Sequence, residues 1–345
     1  MSQWLSRVRP EAETIVRLAI TLACGDSDRT RALGNGRVEV EGVDLTMLTL
    51  TPEETFFRMV RFEEFDVAEL SLSTFVLTTQ QDAPFVAIPV YPSRAFRHNG
   101  IYVHSGSGIE SPEHLAGRRV GLAEYQLTAN VWIRGILADF HDVPVNSVRY
   151  ITGGLHEPGR EEKVAIPLLP DGVEVVPCPE GRTLSELIVS GEIDALYTPR
   201  VPRPFLQRDP RVRRLFPNVR EVEESYYRRT GIFPIMHVIA IRREVYQRNR
   251  WLARSLVKAF TQARDLAFAG LDETAALPLV LPWAYEEIGR VQDLMGADYW
   301  SYGLDDANER TLSTFLRYAR EQGLAHPEIE PRDLFAPETL ISPAI

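Results

Sequence analysis

Apolar residues fall along this chain in two patterns that alternate. Continuous apolar runs read as buried strands: TIVRLAITLAC (14–24), FDVAELSLS (65–73, running into a turn), FVAIPVY (85–91) and, far downstream, FPIMHVIAIRREV (233–245). Between them, apolar positions three and four apart predict amphipathic helices. PEETFFRMVRF (52–62) is one. NRWLARSLVKAFTQARDLAFAG is another, with Leu252, Leu256, Phe260, Ala263 and Ala267 on one stripe. In SPEHLAGRRVGLAE, Ser111 and Pro112 open a short helix, Gly117 ends it and a strand follows. The next helix starts at or beside Thr128 and turns Val131, Trp132 and Leu137 inward. GRTLSELIVSGEIDALYTPR repeats the plan of helix, Gly191 stop, short strand and polar loop. EEIGRVQDLMG and ANERTLSTFLRYAREQG read as surface helices, and the Pro-rich HPEIEPRDLFAPETLISPAI as a segment wrapping the surface. Such alternation predicts a layered α/β fold.

The helix–strand units occur once in each half, as FDVAEL and IDALYT show. That doubling predicts two lobes. Residues 15–100 with 240–345 form lobe I, and 105–230 form lobe II. The chain then crosses twice, near 97–103 and near 232–238. Both crossings border one cleft, where ligands of two-lobed proteins sit.

Composition narrows the function classes. The 345 residues carry a formal net charge of −10, which argues against wholesale nucleic-acid binding. No apolar run approaches the roughly 20 residues of a membrane span. The N-terminal stretch shows no apolar core of a secretory signal. The two cysteines, Cys24 and Cys178, form neither a metal-type spacing nor a disulfide framework. A cytoplasmic protein with reduced thiols is expected. HExxH, CxxC, GxxxxGK[ST] and GxSxG patterns are absent, so no metal site, phosphate loop or hydrolase elbow is expected.

One short segment, YPSRAFRHNGIYV (91–103), places Arg94, Arg97 and His98 at the first crossing. Together with GDSDRTRAL, FDVAELSLSTF, GLAEYQLTANVWIRG, GGLHEPGR, RRTGIFPIMHV and GADYWSYGL, it closely resembles the 4,5-dihydroxyphthalate decarboxylase family over about residues 17–335. The resemblance implies a two-lobed type II periplasmic-binding-protein-like fold with a ligand cleft between the lobes. It implies non-oxidative decarboxylation of a dihydroxylated aromatic dicarboxylate to protocatechuate and carbon dioxide, with no cofactor. It also implies a homo-oligomer whose partner is a small aromatic dicarboxylate, not nucleic acid or membrane.

That chemistry asks for cations to hold two carboxylates, a base near a phenol and an acid near a ring carbon. Arginine matches a carboxylate with two hydrogen bonds. The candidates are Arg29, Arg31, Arg94, Arg97, Arg200 and Arg229. Ser71, Ser73, Thr128 and Asn130 lie in SLSTF and QLTAN, where strand ends feed helix N-termini, and are candidate donors. Tyr125 is a candidate for stacking on the ring. Of seven histidines, His98 and His237 lie at the two crossings, and either is the candidate proton donor. Asp28 and Glu69 are candidate partners or phenol-side bases. Two rival readings remain at this level. One is a solute-binding protein that captures an anion unchanged; the other is an enzyme of this fold with another substrate.

Overall fold

A computed structural model of the chain describes residues 16–80, 84–166, 168–271, 273, 275 and 279–340. Residues 1–15 lie outside the described residues. The three early runs become strands β1 (Leu18–Cys24), β3 (Val67–Ser71) and β4 (Phe85–Arg94), and a strand that the sequence pattern did not predict, β2 (Val43–Thr49), lies between the first two. Six short strands follow: β5 (Ile101–His104), β6 (Arg119–Leu122), β7 (Arg149–Thr152), β8 (Glu174–Pro177), β9 (Ala195–Tyr197) and β10 (Val212–Arg214). The downstream apolar run supplies β11 (Ile235–Arg242). The helices are α1 (Asp28–Gly34), α2 (Pro52–Phe62), α3 (Leu72–Thr78), α4 (Thr128–His141), α5 (Leu184–Ser190), α6 (Arg203–Leu206), α7 (Val219–Thr230), α8 (Arg243–Arg248), α9 (Trp251–Leu271), α10 (Ala284–Met295) and α11 (Asp306–Glu321).

The strands form two sheets. One has the order β2-β1-β3-β11-β4, the other β10-β5-β9-β6-β7-β8. β1 runs parallel to β2 and β3, while β11 returns antiparallel between β3 and β4. The chain passes from the first sheet to the second between Arg94 and Ile101, and returns by way of α7 to β11. Each sheet is thus covered by helices that bury one face. The predicted stripe on α9 does so with Leu252, Leu256 and Phe260, all fully buried against Leu22, Val67, Ile88, Ile239 and Ile241.

Two expectations need correcting. The segment 240–345 does not pack wholly on the first sheet, because α11 lies against α4 beside the second. Nor is α11 a surface helix: Leu312, Phe315, Leu316 and Tyr318 are fully buried. The contact is close enough to require glycine at 135, since a Cβ there would meet the Tyr318 ring at 2.2 Å. Arg134, itself buried, reinforces it by donating to Gln322 Oε1 at 2.7 Å.

The register of β11 prepares the site. His237 pairs with Ser71 and Ile239 with Glu69 across β3. Residues two apart on a strand share a face, so Glu69, Ser71 and His237 project together. On its other side β11 meets an irregularity. Ile239 pairs with Ile88 but His237 with Ser93, leaving residues 89–92 of β4 opposite Val238 alone. Pro89 and Pro92 lie in that stretch and have no N–H to give a ladder, so the strand bulges there.

Candidate active site

A cavity of about 220 Å³ opens between the two sheets. From the first sheet's side it is lined by Glu53 and Phe56 of α2, Ser71 at the end of β3, and Met236 and His237 of β11. Arg97 enters from the first crossing. From the second sheet's side come Thr128 at the start of α4, Arg160 and Lys163 of the loop after β7, and Thr198 and Arg200 after β9.

His237, on the cavity wall, is hydrogen-bonded to Glu69. Nδ1 of His237 lies 2.6 Å from Glu69 Oε1, and the Glu69 side chain is 7% exposed. The other carboxylate oxygen accepts the Gly25 N–H at 2.9 Å and the Cys24 thiol at 3.3 Å. Burial alone would push the Glu69 carboxyl up, but its bond to His237, the Gly25 amide and the Cys24 thiol together hold it below the usual carboxylate range. Glu69 is therefore an anion that accepts from Nδ1–H, which leaves Nε2 as the ring nitrogen free for a ligand. Phe56 fixes the imidazole plane from the side, edge-on with ring centroids 4.9 Å apart. Burial, and then Glu69, push the Cys24 thiol well up, so it stays protonated as a donor.

The two lobes touch directly at the cavity floor. Ser71 Oγ and Thr128 Oγ1 lie 2.8 Å apart, and Thr128 Oγ1 also accepts the Ser73 N–H at 2.9 Å. Thr128 thus serves the opposite lobe and not its own helix as a cap. At the mouth, Arg200 of one lobe donates to Glu53 of the other through Nε at 2.8 Å and Nη2 at 2.6 Å. Arg97 reaches the cavity without a carboxylate partner. Its Nε donates to Met236 Sδ at 3.0 Å, and it makes no ion pair among the described residues. Burial pushes its guanidinium down to about 10, with Glu223 as the opposing charge, so it remains a cation at neutral pH. A partly buried cation with no acid of its own is a ready carboxylate receptor.

The remaining candidates lie elsewhere. His98 is buried against Phe216 and Tyr226, with ring centroids 5.7 and 5.2 Å away, and its Nδ1 has no partner. Burial pushes it down to about 4, so it is a neutral core residue. Arg94 is also buried. It donates to the carbonyls of Phe233 at 3.2 Å and Ser301 at 2.9 Å and to Asn308 Oδ1, tying β4 to the loop before α11. Arg29 pairs with Asp28 at 2.6 Å and lies 4.2 Å over the Trp300 ring. Arg31 pairs with Asp26 in solvent. Arg229 of α7 sits over the Phe140 ring of α4. Tyr125 is buried under Arg134, and Asn130 donates to the Glu124 carbonyl at 2.9 Å; neither lines the cavity. Ser73 contributes its backbone, its hydroxyl having no partner.

Sequence reasoning missed Lys163, Arg160, Phe56 and Glu53. Arg160 ends GGLHEPGR, and that motif was the available signal. Lys163 lies in an aperiodic loop with none. Among the described residues no group of three or more His, Cys, Asp or Glu side chains is placed to hold a metal ion, and no helix is long and apolar enough to cross a membrane.

Two α/β lobes with sheets crossed twice by the chain and a cavity between them define a type II periplasmic-binding-protein-like protein. Solved structures agree on the fold. A putative sulfonate transporter's periplasmic sulfonate-binding protein SsuA from Methylobacillus flagellatus matches with a TM-score of 0.54 at 11% identity, covering 94% of this chain and 93% of that one. The periplasmic aliphatic sulphonate binding protein SsuA from Escherichia coli matches at 0.51 and 11% identity, covering 95% and 100%. No family model matches the sequence. Among curated proteins, a 4,5-dihydroxyphthalate decarboxylase from Comamonas testosteroni is 40% identical over 94% of this chain and 98% of its own length. Another from Pseudomonas putida is 43% identical over 61% of this chain and 82% of its own. The chain belongs to the 4,5-dihydroxyphthalate decarboxylase family.

Proposed function

We propose that the protein is a carboxy-lyase that converts 4,5-dihydroxyphthalate to protocatechuate and carbon dioxide without oxidation. The observation that carries the reading is His237, bonded to the buried Glu69, lining one cavity with Arg97. A receptor that only captures an anion has no use for a proton-transfer pair held by three hydrogen bonds.

In this reading Arg97 grips the carboxylate that stays, and the Ser71 and Thr128 hydroxyls border the ring. The imidazolium form of His237, stabilised by Glu69, gives its Nε2 proton to the ring carbon bearing the departing carboxylate. The hydroxyl para to that carbon supplies electron density to the protonated ring. The carbon–carboxylate bond then breaks, its electron pair restores aromaticity and carbon dioxide leaves. The delivered proton remains on the ring, and water returns one to Nε2. Closure of the lobes, latched by Glu53 and Arg200, keeps bulk water from competing for that proton.

Incubation of purified protein with 4,5-dihydroxyphthalate should release carbon dioxide and protocatechuate in equal amounts. Binding with no turnover would move the protein to the solute-capturing class. Neither binding nor turnover would exclude this substrate.

A further inference from the structure

The loop between β7 and β8, residues 153–173, holds no helix or strand among its described residues, yet it supplies two cations to the cavity. Long irregular loops in compact domains are mostly functional. This one is fastened by a buried carboxylate. Glu124, 1% exposed, accepts Arg160 Nε at 2.8 Å, Arg160 Nη2 at 2.6 Å and the ammonium of Lys163. Backbone bonds hold the loop as well. Glu162 accepts the N–H groups of Tyr125 and Gln126, and Gln126 Nε2 donates to the Val164 carbonyl at 3.0 Å.

The charge count is uneven. Glu124 is one anion serving two cations, and the Lys163 side chain is only 9% exposed. Glu53, the carboxylate lining the cavity, is committed to Arg200. Glu162, whose carboxyl burial pushes upward, is committed to the N–H groups of Tyr125 and Gln126. A partly buried surplus cation is costly until an anion joins it. Arg97, reaching the same cavity from the crossing, is a second and separate cation.

We propose that Arg160 and Lys163 are specificity-determining residues: they receive the second carboxylate of an aromatic ortho-dicarboxylate, while Arg97 receives the first. The assignment rests on the proposed decarboxylase reading, which it deepens. The site would then select dianions over monoanions of the same ring, and Glu124 would act as the positioning residue for the pair.

Binding of two unreactive acids, phthalate and benzoate, tests this without turnover. Calorimetry on the wild-type protein should show phthalate bound about tenfold or more tighter than benzoate, the loss expected when a charge-assisted contact has no partner. In R160Q/K163Q the preference should collapse to within about twofold, with benzoate affinity little changed. Because that variant strands Glu124, the neutral network E124Q/R160Q/K163Q is the companion, and it should behave alike. Arg97→Gln should weaken both acids. Wild-type protein that prefers phthalate, with the preference surviving in both variants, overturns this inference alone. Equal affinity for the two acids in the wild type overturns it as well. A wild type that binds neither acid overturns it together with the active-site reading beneath it.

Discussion

His237 and His98 are the same side chain placed near the two crossings between lobes, and their surroundings are opposite. His237 ends beside a buried carboxylate, with its ring edge in the cavity. His98 ends among Phe216 and Tyr226 with a ring nitrogen unpaired. What separates them is a partner. A histidine gains a proton-transfer role when an anion orients one nitrogen and leaves the other free. An aromatic enclosure without that anion yields a neutral packing residue.

The comparison can be broken most decisively by activity. His237→Ala should lower kcat by about 10²–10⁴-fold while phthalate still binds, whereas His98→Ala should leave kcat within a few-fold. Equal losses in both variants, measured by carbon dioxide release, would erase the distinction. Glu69→Gln should cost about 10²-fold in kcat, because an amide neither stabilises the imidazolium nor fixes its tautomer. Wild-type kcat in that variant would make Glu69 a bystander.

The difference should also appear in stability. His98 is pushed down to about 4 in the folded protein, so the unfolded chain binds more protons than the native one between that pH and its ordinary value. Its contribution is fully present above about pH 6.5 and is lost as pH falls toward 4, amounting to about 3 kcal/mol. Urea unfolding across that window should show the decline in the wild type and a shallower one in His98→Phe. An identical slope in the two would sink the assignment. The smallest effect belongs to the second oxygen of Glu69. Cys24→Ala removes a weak donor and should reduce kcat by less than about tenfold, with Cys24→Ser closer to the wild type.

Much of the layered fold was legible because its long elements bury continuous faces. The helix at 52–62 was read to the residue, since Pro52 opens it and the left-handed Glu63 closes it. The apolar run at 233–245 became a strand to Arg242 and then a helix, the two being indistinguishable in a short buried stretch. The site was less legible. Arg94 and Arg97 lie three residues apart, yet one is sealed behind β4 and the other reaches the cavity, because the strand ends between them. Glu69 meets His237 only through strand register, which no local pattern reveals. Lys163 sits where periodicity is absent altogether. α11 carried a correct amphipathic pattern, but its partner surface on α4 belongs to the other lobe.

The position of β11 governs how the molecule can come into being. β3 and β4 do not pair with each other; each offers an edge that only β11 fills. Glu69 and its histidine are 168 residues apart in the chain. During synthesis the first sheet must wait, split down the middle, until the second has been made. Such late closure predicts slow folding and a nascent chain with two open edges that invite aggregation. It also means that the same strand that completes the sheet delivers the imidazole to Glu69.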